Sequence, residues 1–200
     1  MYRLATNTEP ARPRDESDDE EASVESNGSR IFFYSDVSKD SILSLNRQLR
    51  DLSVKLLNFS NVYEVPTPPI RMHINSPGGS LLDAFAAVDY IKACKVPVYS
   101  IIDGSAASAA TIISVVAQKR YMYKHSYMLI HQLSSALYGK FEEQVDDFKN
   151  SKTFMNAISE IYRQHTKIPQ KTLEEILKRD VFFDAKTCLK YGLVDEVIGE

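Results

Sequence analysis

From Arg30 onward, short β-prone runs alternate with runs of helical period, and this alternation restricts the possible folds more than any other feature. "RIFFYS" (30–35), "IRMHIN" (70–75), "VPVYSII" (96–102), two runs within "KRYMYKHSYMLIHQ" (119–132) and "VFF" (181–183) are rich in β-branched, aromatic and other apolar residues. Between them, Ile42, Leu45, Leu49, Leu52 and Leu56 fall on one face of a helix. Leu81, Ala84, Phe85, Val88 and Ile91 do the same behind Ser80, a residue type that caps helices. A long helix is expected over 141–165, with Val145, Phe148, Met155, Ile158 and Tyr162 on its apolar side. Pro169 is placed to open a further helix at its first turn; Asp184 should cap a last one that ends at Gly192. Strands alternating with helices imply an α/β domain built on a mostly parallel sheet.

The bulk properties exclude several classes of protein. The chain has 200 residues, enough for one well-filled core. Its net charge of -3 offers no large basic field for nucleic acid. Cys94 and Cys188 fit no metal or redox spacing and read as reduced thiols, consistent with a cytoplasmic protein. No basic start followed by an apolar core stands near Met1. The apolar run from Val96 to Ala117 is long enough for a membrane span, but Asp103-Gly104 interrupts it and serines dilute it, so a strand followed by a helix fits better. Residues 1–29 read as an acidic tail or propeptide, with Asp15, Glu16, Asp18, Asp19, Glu20, Glu21 and Glu25 and little apolar content to offset the entropy of ordering. The folded domain is expected over 30–200.

Two short segments carry chemistry. "INSPGGS" (74–80) sets a proline and two glycines between a strand and a helix, where the backbone can pass very close to another group. "GSAASAAT" (104–111) puts Ser108 among small residues at a change from strand to helix. By itself this second segment also fits close helix packing, because it matches no G-x-S-x-G elbow. A serine nucleophile needs a base, and the candidates are His73, His125, His131 and His165. His131 ends an apolar strand, where sites of parallel sheets collect; His73 reads as packed, His125 as a turn residue and His165 as a surface residue. The base needs a carboxylate in turn. Asp180, just before "VFF", is the leading candidate, with Asp103 and Asp184 as competitors.

Taken in chain order, "INSPGG", "GSAAS", "MLIHQ" and "RDVFFDAKTCLKYGLVDEVI" resemble the proteolytic subunit of the Clp protease family, which are ring-forming serine peptidases. The resemblance runs from about Arg30 to Ile198. It implies a fold of strand–strand–helix units in a spiral, shared with the crotonases, and a protruding handle helix. It implies Ser108 as nucleophile, His131 as base and Asp180 as the acid, with the N–H groups of Gly79 and Ala109 as the oxyanion hole. Gly78, Ser80, Gln132 and Leu133 would then contact substrate, and Arg179 would make an inter-ring ion pair. No metal and no cofactor is implied. The implied assembly is two stacked heptameric rings enclosing a chamber in which polypeptides are cleaved, fed by a separate AAA+ unfoldase in ATP-dependent proteolysis.

The chain also departs from that family's pattern. "HQLSSALYGKFEE" (131–143) lacks the proline and glycines usual after the histidine, and Lys178 stands where an acidic residue is usual. The usual N-terminal loop and unfoldase-docking motif are not recognisable. Three other readings follow: a virus-type protease that processes capsid or scaffold proteins without an unfoldase, an inactive structural ring subunit, and an acyl-CoA hydratase or isomerase. Labelling of Ser108 by a fluorophosphonate separates a protease from the last two.

Overall fold

The strands of the computed structural model, which describes residues 23–136 and 138–199, join in one branched sheet. In chain order the elements are β1 (Ser23–Asn27), β2 (Arg30–Tyr34), α1 (Lys39–Tyr63), β3 (Ile70–Ser76), α2 (Leu81–Ala93), β4 (Val98–Ala107) and α3 (Ala109–Val115). There follow β5 (Lys119–Tyr123), β6 (Tyr127–Leu129), α4 (Phe141–His165), α5 (Gln170–Leu177), β7 (Phe182–Phe183), α6 (Ala185–Tyr191) and β8 (Glu196–Ile198). The main path runs β1-β2-β3-β4-β5-β8, and β6 and β7 branch from β4. Only the β1–β2 and β6–β7 pairs are antiparallel. The branch arises because β4 is long: Tyr99–Ile102 pairs with β5, whereas Ser105–Ala107 pairs with β6.

Local chemistry explains the helix starts. Ser38 caps α1 in a capping box with Ser41, whose hydroxyl also donates to the Asp36 carbonyl at 2.6 Å. Ser80 and Asp184 accept from the backbone N–H groups of Asp83 and Thr187, as their residue types foretold. Ile42, Leu45, Leu49 and Leu52 of α1 are all buried, together with Ile31, Phe33, Ile70, Met72, Ile74 and Ile102 of the sheet. A side chain of this kind moved wholly out of water contributes about 1.5–3 kcal/mol, so the helix-period face of α1 suffices to hold it on the sheet.

Four features differ from the expectation. The fold begins before Arg30, because Ser23–Asn27 form β1 against β2. A two-residue loop with Gly28 at φ 62 joins the pair, which is the conformation glycine adopts freely. Residues 1–22 of the expected tail lie outside the described residues. The strand through Ile102 continues to Ala107, because pairing with β6 and with Ser76 overrides the helical preference of its alanines. Pro169 is the N-cap of α5, not its first helical residue. Phe148 is 72% exposed, since only the second half of α4 packs, through Ile158 and Tyr162.

Candidate active site

The sheet topology gathers one end of three strands. β3, β4 and β6 are mutually parallel, so the residues just beyond their C-terminal ends share one edge. Those residues are the glycine turn after Ser76, Ser108 after Ala107, and His131 after Ile130. Gly79, Ser80, Leu81, Ser108, Ala109, Ile112, His131, Gln132, Leu133, Ser134, Ile158 and Tyr162 line a cavity of about 250 Å³ there. The fourth element arrives antiparallel: Met128 pairs with Phe183 and Leu129 with Phe182. Extending that register by two residues sets Asp180 level with His131. Their side chains do meet, Nδ1 to Oδ1 at 3.3 Å. Because Asp180 occupies the Nδ1 side, Nε2 is the ring nitrogen left for the cavity.

Ser108 sits at φ 53, ψ -124, a conformation costly for a residue with a Cβ, on a sharp turn between β4 and α3. Its N–H donates to the Leu129 carbonyl at 2.8 Å. This is the geometry of a nucleophile elbow, with Ala106 and Ala110 in place of the two glycines of G-x-S-x-G. Both alanines are fully buried, so the small side chains serve the close strand–helix approach for which glycine is more usual.

Gly78 and Gly79 differ in role. A Cβ at Gly78, which has φ 96, would lie 2.7 Å from Ser108 Cβ and 2.6 Å from the Ala107 carbonyl oxygen. Gly78 therefore packs behind the Ser108 turn and is not part of the cavity lining, whereas Gly79, Ser80, Gln132 and Leu133 are. Val37 bridges to Gly79: its N–H donates to the Gly78 carbonyl at 2.8 Å, and its carbonyl accepts from Ser80 N–H at 2.7 Å. In such a parallel bridge the N–H of the middle residue points to the opposite side. The Gly79 N–H is thus free of Val37, beside a cavity that also holds Ser108 and Ala109. The close approach demanded by "INSPGGS" is to the Ser108 turn on one side and to Val37 on the other.

The competing residues are drawn elsewhere. His73 Nδ1 and Asp103 Oδ2 are 2.8 Å apart on the outer face of the sheet, and the Tyr34 hydroxyl donates to the same carboxylate oxygen at 2.7 Å. Burial, reinforced by that carboxylate, pushes the Tyr34 phenol up to about 12. His125 lies in the turn between β5 and β6, and His165 ends α4, where burial and then Lys92 and Arg120 lower its pKa. Arg179 and Lys178 are exposed beside Asp180, and Lys178 pairs with Glu175 at 2.8 Å. Ile112, Ile158 and Tyr162 line the cavity without any motif announcing them; helical spacing places Ile158 and Tyr162 on one face but gives no hint of what that face meets.

A family model described as Clp protease matches residues 26–200. The chain belongs to the Clp protease family. It is similar to an ATP-dependent Clp protease proteolytic subunit of Deinococcus radiodurans, at 32% identity over 137 residues, covering 68% of this chain and 67% of that one. It is similar also to an ATP-dependent Clp protease proteolytic subunit 1 of Protochlamydia amoebophila, at 36% identity over 137 residues, or 66% of each chain. The alignments thus span about two thirds of these relatives. Membership of the Clp protease family accounts for the branched α/β sheet and assigns peptide-bond hydrolysis as the class of chemistry. Among the described residues of this Clp-family chain, no helix is long and apolar enough to cross a membrane.

Proposed function

We propose that this chain is a serine endopeptidase in which Ser108, His131 and Asp180 act as a catalytic triad. The observation that carries the reading is that Ser108, His131, Gly79 and Ala109 line one cavity, with Asp180 on His131 Nδ1. Ser108 Oγ attacks the peptide carbonyl as His131 Nε2 takes its proton, and Asp180 holds the tautomer and stabilises the imidazolium. The N–H groups of Gly79 and Ala109 bind the developing oxyanion, each such donor being worth about 10²–10³ in rate. His131 then gives the proton to the leaving amine, and water hydrolyses the acyl-enzyme.

Assembly enters through Asp180, whose side chain is 80% exposed. An exposed ion pair has little net value. Stacking of two heptameric rings around α4, with Arg179 at the contact, would cover Asp180 and strengthen its hold on His131. The relatives' designation as ATP-dependent supports an AAA+ unfoldase as the partner that feeds polypeptides to the chamber. The test is a fluorophosphonate probe, read by peptide mapping, with Ser108→Ala as control. Labelling at Ser108 and loss of peptide turnover by at least about 10⁴-fold in the variant are expected. A wild-type protein that turns over peptides without Ser108 labelling would end this reading.

A further inference from the structure

The Ser108 carbonyl is held by one side chain and, through it, by a second on α4. Thr111 Oγ1 lies 2.6 Å from that carbonyl oxygen, which also accepts from Thr111 N–H at 3.0 Å. The Tyr162 hydroxyl lies 2.5 Å from the same Thr111 Oγ1. A threonine hydroxyl has one proton, and a carbonyl can only accept. The Thr111 proton is therefore spent on Ser108, and Tyr162 must donate to Thr111. The chain of donors runs one way, from Tyr162 to Thr111 to the Ser108 carbonyl. Tyr162 is only 1% exposed, and burial raises its phenol pKa well above the ordinary range, so the hydroxyl stays a donor at any working pH.

That carbonyl belongs to the same peptide unit as the Ala109 N–H. The unit is planar and trans, so its C=O and N–H point in opposite directions. Fixing the carbonyl from below fixes where the N–H points above. Hydrogen bonds in series also polarise one another, which makes an N–H on a well-bonded peptide a stronger donor. A turn at φ 53 needs such outside support, because its own conformational preference opposes it.

We propose that Thr111 and Tyr162 are positioning residues, which act together to aim the Ala109 N–H at the oxyanion and so tie α4 to the catalytic turn. This rests on the serine-endopeptidase reading of the site. Neither residue touches the reacting atoms through its hydroxyl; both act through the Ser108–Ala109 peptide.

The experiment compares Tyr162→Phe, Thr111→Val and Thr111→Ser in the assembled protein with a fluorogenic peptide and a peptide boronate, whose tetrahedral adduct places an oxygen in the same hole. Tyr162→Phe keeps the ring and its packing, and should lower kcat about tenfold with KM unchanged. That is less than the loss of a whole oxyanion donor, because the N–H is loosened and not removed. Thr111→Val should lower kcat about 10²-fold, and Thr111→Ser should restore it. Boronate affinity should fall in step with kcat, as for any interaction realised in the transition state. In the double variant Tyr162→Phe/Thr111→Val the losses should not add, since both act through one carbonyl. Should Thr111→Val fail to fold, Tyr162→Phe with the boronate decides alone. Wild type labelled at Ser108 while Tyr162→Phe keeps wild-type kcat and boronate affinity overturns this proposal and leaves the peptidase standing. Equal changes in KM and kcat, unrescued by serine, would show a merely structural role and overturn it too. Absence of labelling at Ser108 in wild type removes the peptidase reading itself.

Discussion

Gly78 offers a direct perturbation of the Ser108 turn from behind, and Gly28 supplies its control. Both glycines have positive φ, 96 and 62 respectively, so alanine at either carries a backbone penalty of roughly 1–2 kcal/mol. Their surroundings differ. A Cβ at Gly28 meets nothing within 4 Å, whereas one at Gly78 meets Ser108 Cβ at 2.7 Å, the Ala107 carbonyl at 2.6 Å and Ala109 N at 3.1 Å. Carbon atoms rest about 3.5–4.0 Å apart, so relief of the contact with Ser108 requires a shift of roughly 1 Å. The neighbours are backbone atoms and a Cβ, with no flexible side-chain end to swing aside. A 1 Å misplacement of a reacting group costs on the order of 10² in rate. Gly78→Ala should therefore lose about 10²-fold in kcat/KM, equivalent to about 2.7 kcal/mol of transition-state stabilisation at 1.36 kcal/mol per tenfold. Gly28→Ala should lose only stability. Peptide turnover and thermal melting, measured side by side, separate the two effects. Full activity in Gly78→Ala, or an activity loss in Gly28→Ala as large as in Gly78→Ala, would refute the claim that the glycine turn supports Ser108 by contact.

Two further outcomes are expected. Phe148→Glu should leave the isolated subunit's stability within about 0.5 kcal/mol, because Phe148 is 72% exposed there; under the proposed two-ring assembly it should split the particle and cut peptidase activity, as ultracentrifugation with a parallel assay would show, and an intact, fully active particle would overturn the proposed role of α4 at a ring contact. Asp195 loses some solvation on folding, but the Arg120 guanidinium and backbone N–H donate to it and hold its pKa below the ordinary value. A depressed carboxylate pKa contributes stability above the unfolded value of about 3.9 and loses it as pH falls through the folded one. Asp195→Asn should thus melt below wild type at pH 7, with the gap closing toward pH 3; a gap constant with pH would assign the effect to shape and not to charge.

Periodicity and caps in the sequence foretell α1, α2 and α4 because each buries a stripe against something, and a stripe is visible in one dimension. The unburied part of α4 misleads for the same reason: Phe148 continues the apolar pattern of Met155, Ile158 and Tyr162, but the body of the domain ends before reaching it. β1 was obscured by composition, since the charge of the preceding acids outweighs the signal of Gly28-Ser29, a two-residue loop with glycine first, which is typical of tight hairpins. The elbow at Ser108 was obscured by convention, as alanines perform the spacing for which glycine is the expected residue.

The carboxylates show what a linear reading cannot reach. Asp103 lies within β4 and Asp180 just before β7, and each finds a histidine, at 2.8 Å and 3.3 Å. Its place before "VFF" favours Asp180 in the sequence, but the contact each carboxylate makes is set in three dimensions. The difference lies in strand register. β3 and β4 run parallel with His73 opposite Ile101, so Asp103, two residues further on the same face, meets His73 and Tyr34 on the outer side of the sheet and no other histidine among the described residues. β7 runs antiparallel to β6, so the residue two before Phe182 meets the residue two after Leu129, which is His131. Direction and register, through the pairs Met128–Phe183 and Leu129–Phe182, deliver a carboxylate to His131, which lines the cavity holding Ser108. A one-residue slip of β7 would turn the Asp180 side chain to the opposite face and leave His131 without it.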